Sequence, residues 1–337
     1  MFLKLQYVIC LLRFLLMFSG IAFPCWTYAA LTHTQPSVKA ISKVYGFLLG
    51  QNFSLTRIER TYPEMAMQVE MARLTFNAAF PDIQKKLEAE LVSAINDGNF
   101  KKIKTELEQK LRDVLSKQQI TPHLARQFLE QVKARAKGDE MELDVLRYLL
   151  AVQYSANPVG EFSAQFRQRF RTDGSGKAQG IRLGLQLPRS WLANEGERPH
   201  IVQKWTSEGG TGDSIVMLDI RDAEGYNPTR NDIERFVKSG EVHDIVPEGG
   251  VFHEAGTFSM EKRTGFWVDM SVRLERAGIR MYQRSRIHQL FINGKAVGLM
   301  CMSFSRQDEP QKADAAAKLN KPICQQVLNS LVLDQAY

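Results

Sequence analysis

The chain has 337 residues, 44% hydrophobic and 24% charged, which excludes wholesale disorder and leaves room for two ordinary domains. Its net charge is +7, but Lys and Arg are interleaved with Glu and Asp along most of its length. That pattern excludes the gathered basic face of a nucleic-acid-binding protein, so no nucleic acid is expected as a partner.

The first thirty residues differ from the rest. Lys4 and Arg13 precede the apolar run Phe14 to Phe23, and Pro24-Cys25-Trp26-Thr27-Tyr28-Ala29-Ala30 ends in small residues. This is the order of a secretory signal, and it predicts cleavage after Ala29 or Ala30 and a periplasmic or secreted location. An uncleaved anchor would need about 20 apolar residues, and Arg13 interrupts the stretch. Lipidation of Cys25 is disfavoured because Phe23 and Pro24 stand where small residues are required. Without residues 1–30 the net charge becomes +5 and two cysteines remain, Cys301 and Cys324. In an oxidising compartment these are expected to pair; a reactive thiol or metal ligand would want a Cys or His close in sequence.

The next stretch reads as helices. Met65, Val69, Ala72, Phe76 and Phe80 recur at helical spacing, as do Ile83, Leu87, Leu91 and Ile95, then Ile103, Leu107, Leu111 and Leu115. Each stripe is expected to bury against another. Thr121-Pro122 supplies a capping hydroxyl before a first-turn proline, and Asp139 with Glu142 has the spacing of a capping box. Asn96-Asp97-Gly98-Asn99 breaks one helix from the next. Short connections predict a small up-down bundle over residues 38–155.

Residues 156–180 read as a connector. Phe162, Phe166 and Phe170 recur every four residues beside Arg167 and Arg169, which predicts a helix with one aromatic face. Such a face packs between two domains or meets a partner or an anionic membrane surface. The glycine-rich segment 172–180 reads as a flexible linker, since five glycines fall between residues 31 and 173 and seventeen follow.

From residue 181 onward the chain reads as an antiparallel sheet. Phe266, Val268, Met270, Val272 and Leu274 alternate with polar residues and Trp267, the period of a strand with one face buried. Asn293-Gly294 between two apolar runs predicts a type I′ hairpin. Ile215 to Leu218 suits a central strand, and a meander is expected from Val251 to Phe304. Helices are expected over residues 228–238, carrying Ile233 and Val237, and at Ile323, Val327, Leu328 and Leu331, the second on the sheet's apolar face. That placement brings Cys301 and Cys324 together.

Ile181-Arg-Leu-Gly-Leu-Gln-Leu-Pro188-Arg-Ser-Trp191 is a strand stopped by proline and closed by tryptophan. With the Asn293-Gly294 hairpin and the terminal helix, residues 180–337 resemble the PsbP/DcrB-like superfamily. The resemblance implies an α-β-α sandwich on an antiparallel sheet, and a non-catalytic scaffold that binds other proteins. It assigns no site residue. The expected fold class is therefore α+β: a helical bundle followed by an antiparallel-sheet α-β-α sandwich in a single sheet layer.

Catalytic signatures are missing: there is no Gly-x-Ser-x-Gly elbow, phosphate loop, dinucleotide fingerprint or His-Glu-x-x-His pair. No catalytic residue and no cofactor is assigned. The metal candidates are His243, His253, Glu254 and His288, a set whose members are expected to converge if a metal-assisted hydrolase is the answer. In a regular strand His253 and Glu254 would point to opposite faces. Trp191, Trp205 and Trp267 are expected in the core, and Gly209 to Asp213 reads as a turn. The function these features favour is an exported, non-enzymatic accessory or protein-binding scaffold of the cell envelope. Its partner is expected to be an envelope protein or a second copy, with a membrane surface as the alternative.

Overall fold

The computed structural model describes residues 31–276 and 278–334. The expected signal segment lies outside the described residues. A long first helix, α1 (Gln35–Thr61), organises the helical half. It is capped by Thr34, whose hydroxyl accepts from the Ser37 N–H at 3.2 Å while the Ser37 hydroxyl accepts from the Thr34 N–H at 2.8 Å. Five more helices pack against it: α2 (Ala66–Ala79), α3 (Ile83–Ile95), α4 (Asp97–Ser116), α5 (Pro122–Arg135) and α6 (Leu143–Tyr154).

Two of the three apolar stripes close into one core, with Val69, Ala72, Phe76, Ile83, Leu87 and Leu91 all buried. The third does not. On α4 only Phe100 is buried, Ile103 is exposed, and Leu107, Leu111 and Leu115 are half-covered. The helix breaks at Asn96, which adopts a φ of 63° and whose side chain accepts from the Asn99 N–H at 3.0 Å. Thr121 caps α5 as its sequence predicts. The Asp139/Glu142 capping box does not form, because α6 starts only at Leu143 and the Glu142 carboxylate is taken by Lys43 of α1.

A short helix, α7 (Pro158–Ser163), leads into the β-rich half, and its chain then turns at Gln165, φ 70°, into strand β1 (Arg167–Arg171). The expected aromatic connector helix is therefore corrected to a helix, a turn and a strand. A spacing of four residues returns to one face in a helix and in a strand alike, so the phenylalanines did not distinguish them. Segment 172–180 is likewise not an interdomain linker. It joins β1 to β2 (Leu183–Pro188), which pair antiparallel with Arg171 opposite Gly184. Its glycines serve positive φ, 86° at Gly174 and 52° at Gly176.

Two sheets form where one layer was expected. β1, β2 and β10 (Val332–Leu333) make a small sheet in the order β1-β2-β10. The large sheet contains β3 (Leu192–Glu195), β4 (Ile201–Thr206), β5 (Ser214–Asp222), β6 (Val251–Met260), β7 (Arg263–Arg276), β8 (Ile279–Ile292) and β9 (Lys295–Arg306), ordered β3-β4-β5-β9-β8-β7-β6. β2 leaves this layer because its leucines, 183, 185 and 187, fill the core between the sheets. The meander β6-β7-β8-β9 is antiparallel throughout, β5 is central, and Asn293 and Gly294 turn the β8–β9 hairpin with φ of 51° and 72°.

Helices cover both faces of the large sheet. α8 (Arg230–Lys238) places Ile233 against Phe266 and Val268. α9 (Pro310–Asn329) places Ile323, Val327 and Leu328 against Val216, Leu218, Leu290 and Leu299 on the other face. A disulfide joins Cys301 of β9 to Cys324 of α9 with the Cα atoms 6.2 Å apart. Bonds of this kind persist in oxidising compartments, which points to a location outside the cytoplasm.

The two halves meet along a polar seam with an aromatic staple. Phe166 enters the helical core, stacked on Phe80 at 5.6 Å, while Phe162 is buried in the sheet core and Phe170 meets Trp205 edge-on at 5.1 Å. The Gly209 to Asp213 segment is a turn, as expected. A Cβ on Gly209 would stand 2.7 Å from the Tyr148 ring of α6, so glycine lets the turn press on the helix.

Candidate functional site

The face of the large sheet beneath α9 changes character along its length. Under the second half of the helix it is apolar; under the first half it carries Asp269 and Ser271 from β7, Arg284 and Arg286 from β8, and Ser303 from β9. Alternation fixes this arrangement. Residues 267, 269 and 271 share a face, and register places Arg286 opposite Asp269 and Arg284 opposite Ser271. Between this patch and α9 lies a cleft of about 430 Å³.

Asp269 holds both guanidinium groups. Its Oδ2 accepts from Arg286 at 2.7 and 3.2 Å, and its Oδ1 lies 3.2 Å from Arg284 Nη2. Arg286 also stacks on the Trp267 ring at 4.2 Å, a ring lying against Gly256, where a Cβ would come within 2.9 Å. Trp267 is thus half-exposed in the site, unlike Trp191 and Trp205, which are core residues as expected. Arg284 reaches Asp314 of α9 at 3.7 Å, and the Tyr282 hydroxyl donates to the same carboxylate at 3.2 Å.

The charge does not balance inside the cleft. Arg284 and Arg286 are 18% and 15% exposed and share one carboxylate of similar burial, whereas Asp314 and Glu254 are 50% and 63% exposed. Lys318 and Lys321 stand at the rim. The Arg284 Nη1 atom is buried and has no hydrogen-bond partner among the described residues. A buried donor on a cation in that condition favours an anionic acceptor.

The candidate metal set does not gather. His243 lies tilted against the Phe252 ring, 3.9 Å between centroids, on the α8 face. His288 is buried on the opposite face, edge-on to Phe258 at 5.6 Å, and burial pushes its imidazole down to about 4. His253 and Glu254 share a face after all, because the register slips between Phe252 and Glu254 and makes His253 an extra residue in β6. His253 Nε2 lies 2.9 Å from Ser271 Oγ, and Glu254 lies 3.6 Å from Arg286. Burial first, and then the charge of Arg284, lower the His253 pKa. Among the described residues no group of three or more His, Cys, Asp or Glu side chains is placed to hold a metal ion.

The expected surface of Phe162, Phe166, Phe170, Arg167 and Arg169 is also rearranged. The rings point into the two cores, and Arg167 lies over the Phe162 ring at 4.2 Å, so Phe162, Phe166 and Phe170 form no shared exposed face. The residues that do form the cleft were not singled out by their sequence. Their signal was Arg284-Ser285-Arg286, two arginines two residues apart on the face of β8 that further along carries Leu290 and Ile292, which is unusual for a buried face.

No family model matches the chain, and no curated protein sequence matches it. Among solved structures the chain is similar to cyanobacterial PsbP (CyanoP) from Synechocystis sp. PCC 6803, at 13% identity and a TM-score of 0.31, over 50% of this chain and 92% of that one. It is similar to the Ran-binding protein Mog1p of Saccharomyces cerevisiae at 6% identity and a TM-score of 0.33, over 50% and 95%. It is also similar to LpqN of Mycobacterium tuberculosis, described as involved in cell envelope biogenesis, at 11% identity and a TM-score of 0.28, over 50% and 91%. A PsbP structure thus stands among the matches to a chain whose second half reads as PsbP-like from its sequence.

Proposed function

We propose that this is an exported accessory protein of the cell envelope that docks an acidic segment of an envelope protein in the cleft beneath α9. The observation that carries the reading is the buried, unpartnered Nη1 of Arg284 within a cleft whose inner layer has two guanidinium groups to one carboxylate. Lys318 and Lys321 at the rim extend the positive field outward, where it guides an acidic chain to the opening. The role is binding: Asp269 and both arginines already hold one another, and His253 is engaged with Ser271. Export supplies the oxidising surroundings that the Cys301–Cys324 bond requires.

The test is a titration of the protein with a fluorescent glutamate-rich peptide, beside a glutamine-rich control. Binding of the acidic peptide alone is expected, weakened by added salt and lowered at least about tenfold when Lys318→Glu and Lys321→Glu are combined. Binding that the double variant leaves intact, or none in the parent protein, overturns the reading. A second copy as the occupant would appear instead as concentration-dependent dimerisation abolished by the same substitutions.

A further inference from the structure

Three carboxylates converge on the first residues of the described chain. Leu31 is buried in the helical core, and its backbone nitrogen lies 3.4 Å from Glu90 Oε2 of α3, itself a buried side chain. His33 Nε2 approaches the same oxygen at 2.9 Å. From the other half of the molecule, Glu208 accepts from the Thr32 N–H at 2.8 Å, and Asp213 accepts from the Thr32 hydroxyl at 3.2 Å. Residues 31–33 thus lie in the seam, bonded to both halves at once. Burial raises the Glu208 carboxyl to about 6, and the charges of Asp213 and Glu90 add to the rise.

At 3.4 Å a peptide N–H makes a poor hydrogen bond to Glu90, and beside the His33 ring at 2.9 Å it adds no charge of its own. An ammonium at the same place would make a charge-assisted bond. We infer that the chain is cut between Ala30 and Leu31 and that the new α-ammonium of Leu31 is a structural cation, held by Glu90, that locks the seam. Water adds across that peptide bond, leaving a carboxylate on Ala30 and the ammonium on Leu31; the signal peptidase of the export pathway supplies the catalysis. The geometry separates the two cuts that the sequence allows. A cut after Ala29 would put the ammonium one residue, about 3.5 Å of chain, away from the atom that Glu90 meets.

The inference rests on export, and the experiment distinguishes the two. Mass spectrometry of protein recovered from the envelope fraction reads the N-terminus. Leu31 is expected; an Ala30 start leaves export standing and overturns the inference, and an intact chain overturns both. On the processed protein, reductive methylation of the α-amine is then timed in the native and urea-unfolded states. At least about tenfold slower labelling is expected when folded, as for a buried, ion-paired amine. Equal rates overturn the anchoring in the parent protein, whatever a variant does. Glu90→Gln is expected to remove most of the protection, and protection unchanged in a folded Glu90→Gln protein also overturns it.

Discussion

Glu161 of α7 is buried and makes no ion pair among the described residues; its carboxylate accepts from the Ser190 N–H at 2.7 Å and from the Ser190 hydroxyl at 2.5 Å. Burial pushes it from 4.5 up to about 7, whereas burial pushes His288 from 6.5 down to about 4. The signs oppose. Glu161 holds its proton longer in the folded chain, so stability falls as pH rises from about 4.5 to 7. His288 loses its proton sooner in the folded chain, so stability rises as pH goes from about 4 to 6.5. Each amounts to roughly 3 kcal/mol, and in the parent protein the two largely cancel. Single variants should expose them. Glu161→Gln is expected to gain stability across the acid range as pH rises, His288→Phe to lose it, and urea unfolding at pH 5 and 7.5 reads both. Two profiles that keep the parent's slope would show that neither shift exists.

At the scale of elements, α9 is fastened unevenly. Its second half is held by the apolar core and by the Cys301–Cys324 bond, while its first half spans the cleft. Pro322 lies between them, and with no N–H it cannot bond the carbonyl of Lys318. Replacing both cysteines with alanine is expected to cost about 3 kcal/mol on the chain-entropy account of a loop of this length. Amide exchange should quicken first in residues 310–321; equal quickening along the helix would refute the uneven fastening. The elements that were legible in the sequence were those with one unambiguous period. Phe266 to Leu274 alternates and is a strand, Ile83 to Leu91 repeats at helical spacing and is buried, and Asn293-Gly294 turns a hairpin. Phe162 to Phe170 was ambiguous because four residues suit both periods, although Arg167-Gln-Arg-Phe-Arg171 alternates. The bulge at His253 leaves no trace in composition. For the cleft, half of the signal was local, the two arginines on one face of β8. The rest was not, since Lys318 and Lys321 reach it from an element some thirty residues away that only the folded sheet brings near.

Across the whole molecule, Phe166 is the side chain that ties the halves most directly, since β1 pairs with β2 while the ring lies on Phe80 and near Tyr154. Phe166→Ala is expected to cost about 3–5 kcal/mol, the range for a large aromatic removed from a core. Because the cavity opens at the seam, the single calorimetric transition expected of the parent should separate into two. One transition at lower temperature would mean that the seam's polar bonds suffice to keep the halves cooperative. The small sheet has a consequence of another kind. Val332 and Leu333 pair with Gly184 and Leu183, and the Leu333 N–H donates to Glu261 at 3.1 Å. The edge of β2 therefore stays open until residues 332–333 have left the ribosome, so the small sheet closes only after every strand of the large one has been synthesised.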